Sequence, residues 1–311
     1  MKPIRIGIVG IGKIAREQHI PAIAANPAFT FTAAASRHST ASDVANFPSI
    51  AAMLEGVPDL DAVALCTPPQ AHYEAAKLAL AKGKHVLLEK PPCSSMGQLD
   101  HMVRLAKTAG RTLYQTWHSQ YAHAVEPAER LLKQRKLTAA RVTWKEDVRQ
   151  WHPGQEWIWQ PGGFGVLDGG INALSILTKI IAEPIFAKSA CLYVPSNCAT
   201  PIAAELEFET DSGAPISAAL DFRHTGTQTW DIELSTSAGP ITLSAGGGLL
   251  SVGDELVPRA AGILGVEYTA IYRRFAELIA HRHSEVDARP LQLVADAFLV
   301  AERITVDSFL P

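Results

Sequence analysis

A glycine-rich turn near the start of the chain restricts the fold more than any other feature. The apolar run Ile4–Val9 leads into Gly10-Ile11-Gly12-Lys13-Ile14-Ala15, and a helix-like segment follows from Lys13 to Ala25. In such a G-x-G-x-x-A turn, the first glycine permits the tight bend and the second lets a pyrophosphate approach the backbone. The helix N-terminus then offers free N–H groups. The pattern predicts a dinucleotide-binding βαβ unit, whose phosphate contacts are Gly10, Gly12, Lys13 and Ile14.

Strand-like and helix-like segments keep alternating as far as residue 120. Strands are predicted at Phe29–Ser36, Asp61–Cys66, His85–Glu89 and Thr112–Trp117, with helices up to Lys82 and over Met96–Ala109. Short buried strands separated by helices predict a doubly wound parallel sheet.

The second half shows the period-two alternation of an antiparallel sheet. A helix is predicted near Val125–Gln134, and strands at Ala139–Val148, Ile202–Thr210, Ile216–Phe222, Thr229–Thr236 and Ile241–Ser244. Two closing helices are predicted, Tyr268–His281 and Leu291–Val306. Because the chain has 311 residues, we expect two domains, 1–120 and 121–311.

Charge and cysteine content exclude several classes of protein. The formal net charge is −3, whereas nucleic-acid-binding proteins usually present a basic surface. Four cysteines at irregular spacing, with no C-x-x-C pair, argue against a disulfide framework or zinc knuckle and fit a reducing cytoplasm. The apolar stretch at the start is too short and too glycine-rich for a signal peptide, and we expect no membrane span.

The residues after the second strand bear on the choice between NAD and NADP. An enzyme that uses NAD usually has an acidic residue here, which binds the ribose 2′-hydroxyl. This chain has Ser36-Arg37-His38 instead. An arginine can hold a 2′-phosphate with two hydrogen bonds, and a solvated loop arginine is the alternative. We expect these three residues to contact the cofactor, with NADP preferred and NAD also accepted.

Three further motifs make the whole chain resemble the Gfo/Idh/MocA oxidoreductase family. They are Thr67-Pro68-Pro69-x-x-His72, Glu89-Lys90-Pro91-Pro92 and a later helix that contains Asp168. The resemblance implies an N-terminal Rossmann domain and a C-terminal, mainly antiparallel domain, whose open sheet offers a surface for a dimer. It also implies further cofactor contacts, at Cys66, Thr67, Pro68, Pro69, His72, Glu89 (at the ribose) and Lys90.

A tryptophan-rich segment gives a closer resemblance within that family. Trp144–Trp159 (WKEDVRQWHPGQEWIW), followed by Gly163–Ser175, is similar to members that oxidise L-arabinose or D-galactose at C1. This resemblance implies an NAD(P)-dependent aldose 1-dehydrogenase, which transfers a hydride to the nicotinamide and forms a lactone.

Oxidation at C1 needs a proton acceptor and a group that stabilises a developing alkoxide. Lys90 follows the fourth strand, at the edge where open α/β sheets bind ligands. Asp168 and Asn172 are four residues apart, which places them on one helix face. Relatives carry histidine in place of Asn172, and an amide cannot accept a proton at neutral pH. We expect Lys90 and Asp168 to share the acid–base work and Asn172 to orient the hydroxyl; a surface lysine and a helix-capping aspartate are the alternatives.

Aromatic rings pack against the apolar faces of sugars, and four of the six tryptophans lie in the segment Trp144–Trp159. The expected sugar contacts are His118, Glu146, Trp151, His152 and Trp230. His118 and His123 lack the spacing of metal ligands, so we expect no metal.

Two other functions fit the same motifs. One is a non-catalytic regulator of the same fold that senses NADP and a sugar. The other is a dehydrogenase of a different sugar or of a cyclitol. Fold alone does not decide between them, but the presence of both Lys90 and Asp168 favours an enzyme.

Overall fold

The computed structural model describes residues 2–258 and 267–310. Among them, residues 2–118 and 267–288 form one compact unit, and residues 119–258 and 289–310 form a second. The division expected from the sequence, after residue 120, assigned 267–288 to the second domain. The reason for the difference lies in the packing of a late helix, described below.

The first unit is built on a six-stranded sheet in the order β3-β2-β1-β4-β5-β6. Its strands are β1 (Ile4–Val9), β2 (Phe29–Ala35), β3 (Ala45–Phe47), β4 (Ala62–Leu65), β5 (His85–Leu88) and β6 (Leu113–Gln115). All pairings are parallel, and this strand order is the one found in dinucleotide-binding sheets. The carboxyl ends of β1, β4 and β5 therefore share one edge, where Gly10, Cys66 and Glu89 follow them.

Helices connect these strands. A π-helical turn over Ala15–His19 runs into α1 (Ile20–Ala24), and it is followed by α2 (Ile50–Gly56), α3 (Pro69–Ala81) and α4 (Met96–Ala109). The side chains of Ser49 and Ser95 accept hydrogen bonds from the backbone amides of Ala52 and Gln98, which caps α2 and α4. Gly110 ends α4 in the left-handed conformation that favours glycine.

The second unit contains a nine-stranded sheet in the order β14-β13-β12-β11-β7-β10-β9-β8-β15. The strands are β7 (Leu137–Lys145), β8 (Ile185–Pro195), β9 (Ala203–Thr210), β10 (Pro215–Asp221), β11 (Thr229–Thr236), β12 (Ile241–Ser244), β13 (Leu249–Val252), β14 (Glu255–Leu256) and β15 (Ala301–Val306). Only β7 with β10 and β8 with β15 pair in parallel, so the sheet is mixed and mostly antiparallel. Buried residues alternate with more exposed ones along β9 and β10, which shows that one face of the sheet is covered and the other is open.

The remaining helices are α5 (Val125–Leu132), α6 (Val148–Trp151), α7 (Leu167–Ile180), α8 (Glu267–His281) and α9 (Arg289–Val300). The prediction of one helix over Leu291–Val306 is wrong at its C-terminal end. The helix stops at Val300, and β15 pairs in parallel with β8 from Ala301 onward. The β-branched run Ile304-Thr305-Val306 explains the change, because such side chains favour strands.

Aromatic packing places α8 in the first unit. Tyr272 contacts Phe29 of β2 with ring centroids 5.3 Å apart, and Phe275 stacks on Tyr114 of β6 at 6.0 Å. The amide of Gln115 also donates to the carbonyl of Glu285 at 3.0 Å, so the segment after α8 extends the sheet beyond β6. The unit is thus completed by residues from near the end of the chain.

The four cysteines are free thiols. No helix among residues 2–258 and 267–310 is long and apolar enough to cross a membrane.

Candidate active site

The glycine turn after β1 has the shape that a dinucleotide needs. Gly10 has a φ of +92°, and a Cβ on it would lie 2.8 Å from the backbone of Cys66 and Thr67. Only glycine fits there. A Cβ on Gly12 would have no neighbour within 4 Å, so the backbone of that residue faces open space. The turn can therefore admit a pyrophosphate next to Gly12, and its residues fit the expected cofactor.

The helix that follows begins with Lys13 and Ile14, and it winds as a π-helix over Ala15–His19. π-Helical turns are rare and often mark functional sites. This one turns His19 into the core, where the side chain is fully buried.

The loop after β2 carries the residues expected to select the cofactor. Arg37 and His38 are exposed, and Ser36 is half-buried with its amide donating to the carbonyl of Phe47 at 3.0 Å. Arg16 also reaches this loop, because its Nη2 donates to the carbonyl of Thr40 at 2.8 Å. The sequence reasoning missed Arg16, and no local motif identifies it.

The Cys66–His72 segment lies beside the glycine turn. Pro69 begins α3, and His72 is buried on that helix with its Nδ1 donating to the carbonyl of Pro92 at 3.1 Å. Burial lowers the pKa of His72, so the ring is neutral near pH 7, and its Nε2 has no hydrogen-bond partner among the described residues. Burial, reinforced by the charge of Glu89, raises the pKa of the Cys66 thiol well above its ordinary value, which argues against a thiolate.

Glu89, expected at the ribose, lies in a buried hydrogen-bond network. Its Oε1 accepts from His19 Nε2 and from the Tyr268 hydroxyl, each at 2.9 Å, and Thr116 Oγ1 lies 3.3 Å away. Its Oε2 accepts from the amide of Lys90 at 3.0 Å. Burial alone would raise the pKa of Glu89, but the hydrogen bond and charge of His19, together with Tyr268, lower it to about 2. Protein donors approach both oxygens, but each carboxylate oxygen can accept a second hydrogen bond, so the ribose contact of Glu89 stays a prediction.

Lys90 follows β5 at the predicted edge and is half-buried. His118, which ends the first unit, is held by Glu267 rather than placed beside a group of metal ligands. Its Nδ1 lies 3.0 Å from Glu267 Oε2, and its ring stacks on Tyr268. Among the described residues, no group of three or more His, Cys, Asp or Glu side chains is arranged to hold a metal ion.

The second unit contains its own buried carboxylate, Glu146, which follows β7. Its Oε1 lies 2.9 Å from His152 Nε2, and its Oε2 accepts from Trp230 Nε1 at 2.6 Å. Because a carboxylate only accepts, His152 carries its proton on Nε2. The other ring nitrogen, Nδ1, has no hydrogen-bond partner among the described residues and lies 3.9 Å from Asp168 Oδ2.

Asp168 and Asn172 share α7, as predicted. Asp168 lies in the first turn and is 2% exposed, and Asn172 is half-buried one turn later. Gly169 and Gly170 make this packing possible: added Cβ atoms would come within 3.1 Å of Phe222 and 2.4 Å of Leu220. The glycines let α7 approach the sheet closely enough to bring Asp168 next to His152.

Part of the tryptophan-rich segment converges on the same place. Trp144 stacks on Trp230 with centroids 5.6 Å apart, and Trp151 meets Trp230 edge-on at 4.8 Å. Trp159 turns away, into contacts with Phe222 and Phe309. The segment therefore supplies both an aromatic cluster at Glu146 and ordinary core packing.

The structure thus forms two groups from the expected residues. In the first unit, the glycine turn, the Cys66–His72 segment and the Glu89–Lys90 pair lie at one sheet edge. In the second unit, Glu146, Trp151, His152, Asp168 and Trp230 form one cluster, with Asn172 on the same helix as Asp168. The pairing of Glu146 with His152 and Trp230, and that of Glu89 with His19 and Tyr268, had no local signal in the sequence.

Comparison with known proteins bears on these two groups. A family profile for GFO_IDH_MocA, described as an oxidoreductase family with an NAD-binding Rossmann fold, matches residues 4–116. A galactose 1-dehydrogenase from Pseudomonas fluorescens is 45% identical over 309 residues, which cover 99% of each chain.

Solved structures agree with this comparison. A D-galactose 1-dehydrogenase from Rhizobium etli has a TM-score of 0.93 and 48% identity, covering 100% of this chain and 99% of that one. A 3-ketoreductase from Actinomadura kijaniata, solved with NADP and TDP-benzene, has a TM-score of 0.82 at 20% identity and covers 98% of this chain and 100% of that one. The second likeness shows the fold alone.

Proposed function

Because this chain belongs to the Gfo/Idh/MocA family of oxidoreductases, we propose that it is an NADP-preferring aldose 1-dehydrogenase acting on D-galactose and L-arabinose. The product is the lactone. The likeness to galactose 1-dehydrogenases over the full chain supports oxidation at C1. The two sugars share their configuration at C2, C3 and C4, so one pocket can serve both.

One observation carries the assignment of the sugar-binding residues. His152 Nδ1 and Asp168 Oδ2 are 3.9 Å apart, too far for a hydrogen bond to each other. When its ring is neutral, His152, fixed by Glu146, therefore offers a lone pair on Nδ1 beside a carboxylate oxygen. Two neighbouring acceptors of this kind suit the hydroxyl groups of a sugar, which supply donors. The adjoining Trp151 and Trp230 rings offer a surface for the apolar face of the sugar.

The proton and hydride follow separate routes in the proposed reaction. Bound in the first unit, oxidised NADP would supply the acceptor for the hydride that leaves C1. Asp168 accepts the proton of the anomeric hydroxyl, and Asn172 orients that hydroxyl. The ammonium group of Lys90 stabilises negative charge that develops on the oxygen. His118, Glu146 and His152 hold the other hydroxyls.

The residues of the first unit support the cofactor assignment. The open space at Gly12 admits the pyrophosphate, and the exposed guanidinium of Arg37 is available for a 2′-phosphate. We extend the proposal to a cytoplasmic protein that dimerises through the open face of its nine-stranded sheet; the four free thiols agree with a reducing compartment.

The direct test measures the absorbance of reduced nicotinamide while the protein is supplied with NADP or NAD and a panel of aldoses and cyclitols. We expect the highest kcat/KM with NADP and either D-galactose or L-arabinose. Turnover of only a cyclitol would contradict the choice of substrate. Binding of NADP and sugar without turnover would indicate a non-catalytic sensor instead of an enzyme.

Cofactor choice is tested by Arg37→Asp. A charge-assisted contact contributes about 1.5–3 kcal/mol, so kcat/KM with NADP should fall by about 10- to 100-fold while that with NAD changes little. Arg135→Asp, at a partly exposed site in the second unit, is the control. An unchanged ratio of NADP to NAD efficiency would show that Arg37 does not bind the 2′-phosphate.

A further inference from the structure

A hydrogen-bonded chain inside the first unit ends on the backbone of Lys90. The Lys90 amide donates to Glu89 Oε2 at 3.0 Å, while Glu89 Oε1 accepts from His19 and Tyr268 at 2.9 Å. His19 Nδ1 in turn lies 2.8 Å from the Tyr272 hydroxyl, which donates to it when the ring is neutral. His19 and Tyr272 are fully buried, and Glu89 and Tyr268 are each 4% exposed.

The elements joined by this chain are the ones that would bind the cofactor. His19 ends the π-helical turn that follows the glycine turn, whereas Glu89 follows β5 directly. A second buried histidine, His72, donates to the carbonyl of Pro92 at 3.1 Å. The segment Glu89–Pro92 is therefore anchored on both sides of Lys90, by side chains from two different helical segments.

We propose that Glu89 is a positioning residue, whose buried carboxylate fixes the backbone of Lys90 and joins it to the dinucleotide-binding helix. The inference rests on the role proposed above for Lys90. Glu89 itself touches no reacting atom. It acts by holding the backbone amide of Lys90, which is bonded to the Cα atom that carries the lysine side chain.

The demand for a carboxylate follows from the donors around it. His19 and Tyr268 approach one oxygen and the Lys90 amide approaches the other, so both atoms must accept. A glutamine has the same shape but carries two N–H donors on one terminal atom. If that atom faces Lys90, two donors meet. If it faces His19 and Tyr268, both must reverse their hydrogen bonds. Such a reversal would leave the hydroxyl hydrogens of Tyr268 and Tyr272 without their acceptors in the core. It would also give the Lys90 amide a neutral acceptor in place of a charged one, so neither arrangement equals that of the carboxylate.

The test compares Glu89→Gln with wild type by two measurements. The first is hydrogen exchange of the Lys90 amide, which stands out because Pro91 and Pro92 have no amide hydrogen. We expect this amide to exchange at least tenfold faster in the variant, since a net hydrogen bond to a charged group contributes on that scale. The second is kcat with NADP and galactose, which should fall by about 10²-fold, as expected for a reacting group displaced by roughly 1 Å. The KM for NADP should change much less.

Glu74→Gln is the matched control, because Glu74 forms an exposed ion pair with Lys77 in the same unit. It should alter neither measurement. If Glu89→Gln does not fold, Tyr268→Phe removes a single donor from the same carboxylate and should change both measurements in the same direction, by less. The conservative Glu89→Asp variant should recover part of kcat, since it restores an acceptor at both oxygens.

The exchange measurement separates this inference from the proposed function. If the wild-type protein oxidises no sugar but the Lys90 amide still exchanges faster in Glu89→Gln than in wild type, the positioning role stands and the proposed function is refuted. An unchanged Lys90 exchange rate in folded Glu89→Gln would overturn the positioning role, whether or not kcat falls.

Discussion

Each unit of the molecule buries one glutamate against one histidine, and the two pairs differ at the far side of the imidazole. In both pairs the glutamate Oε1 lies 2.9 Å from the histidine Nε2, and a second side chain donates to the carboxylate: Tyr268 to Glu89, and Trp230 to Glu146. The other ring nitrogen of His19, Nδ1, is hydrogen-bonded to the Tyr272 hydroxyl. The Nδ1 of His152 has no hydrogen-bond partner among the described residues, and the His152 side chain is 15% exposed.

This difference separates a group that holds structure from a group that can take a ligand. A buried polar network whose donors and acceptors are all matched rigidifies its surroundings. A network with one open acceptor beside a carboxylate has a place for a further donor. This difference supports the two proposed roles, in which the pair in the first unit holds the Lys90 backbone and the pair in the second unit binds substrate.

The largest effect on kcat should come from changing Asp168, whose carboxylate lies beside His152 Nδ1. Asp168→Asn keeps the shape of the side chain but removes the proton acceptor, so kcat should fall by about 10²- to 10⁴-fold while NADP still binds. The control is Asp211→Asn, at an exposed turn of the same unit, which should leave kcat unchanged. Initial rates with saturating sugar measure the effect. A kcat near that of wild type would move the proton route away from Asp168.

Removal of His19 should mainly lower stability, whereas removal of His152 should mainly weaken sugar binding. His19→Ala leaves the buried Glu89 carboxylate without its partner, which typically lowers the free energy of unfolding by roughly 3–5 kcal/mol. His152→Ala should lower it less, because the ring is partly exposed and Trp230 still donates to Glu146, but it should raise the sugar KM by roughly tenfold through a lost hydrogen bond. Denaturant titration and sugar saturation curves supply the two quantities. Equal losses of stability, with no change in KM, would erase the distinction between the pairs.

Acid should weaken the Glu89–His19 pair, and the effect can be assigned to Glu89. The pKa of Glu89 falls from its ordinary value of 4.5 to about 2 in the folded chain. A depressed folded pKa stabilises the protein fully above the unfolded pKa, and the contribution is lost as pH falls from about 4.5 towards 2. The loss should amount to about 3 kcal/mol. Stability measured between pH 6 and pH 3 should therefore decline less steeply in Glu89→Gln, and parallel curves for the two proteins would contradict the shift.

The smallest effects should come from deleting one donor at each carboxylate. Tyr268→Phe and Trp230→Phe each remove a hydrogen bond to a charged group, and each should lower the free energy of unfolding by about 1.5–3 kcal/mol. Only Trp230→Phe should also raise the sugar KM, because Trp230 contacts Trp151 and Glu146. A rise in sugar KM for Tyr268→Phe would show that the Glu89–His19 pair also contributes to sugar binding.

The sequence predicted the elements where the pattern was local. The helix Met96–Ala109 and the strands Ile4–Val9 and Thr229–Thr236 have the predicted bounds, because each shows a clear period between distinct turn or capping residues. The short strand β3 and the long strand β8 went unpredicted; the first is three residues long and the second has no regular alternation of burial. The mixed sheet order was also beyond reach, since parallel pairing of β7 with β10 joins segments far apart in the chain.

The candidate site was predictable as a set of residues but not as a set of contacts. Lys90 and Asp168 could be singled out because they stand at predictable places, the end of a strand and the first turn of a helix. Their neighbours could not, since Trp230 reaches Glu146 across 84 positions and Tyr268 reaches Glu89 across 179. Hydrophobic periodicity is a local signal and cannot predict contacts between residues so far apart in the sequence. For the same reason the sequence could not show that Glu89 turns inward.

The return of α8 to the first unit has a consequence for how the chain is made. Translation delivers Gly10, His19, Glu89 and Lys90 first, whereas Tyr268 emerges from the ribosome 179 residues after Glu89. Until then the nascent unit exposes Phe29 and Tyr114 and lacks the hydroxyl groups that close its glutamate–histidine pair. Most domains fold as units in N-terminal to C-terminal order, whereas this one must wait for a helix encoded after most of its neighbour. A fragment ending at residue 118 would therefore be a poor substitute for the native unit, however complete its dinucleotide motif looks in the gene.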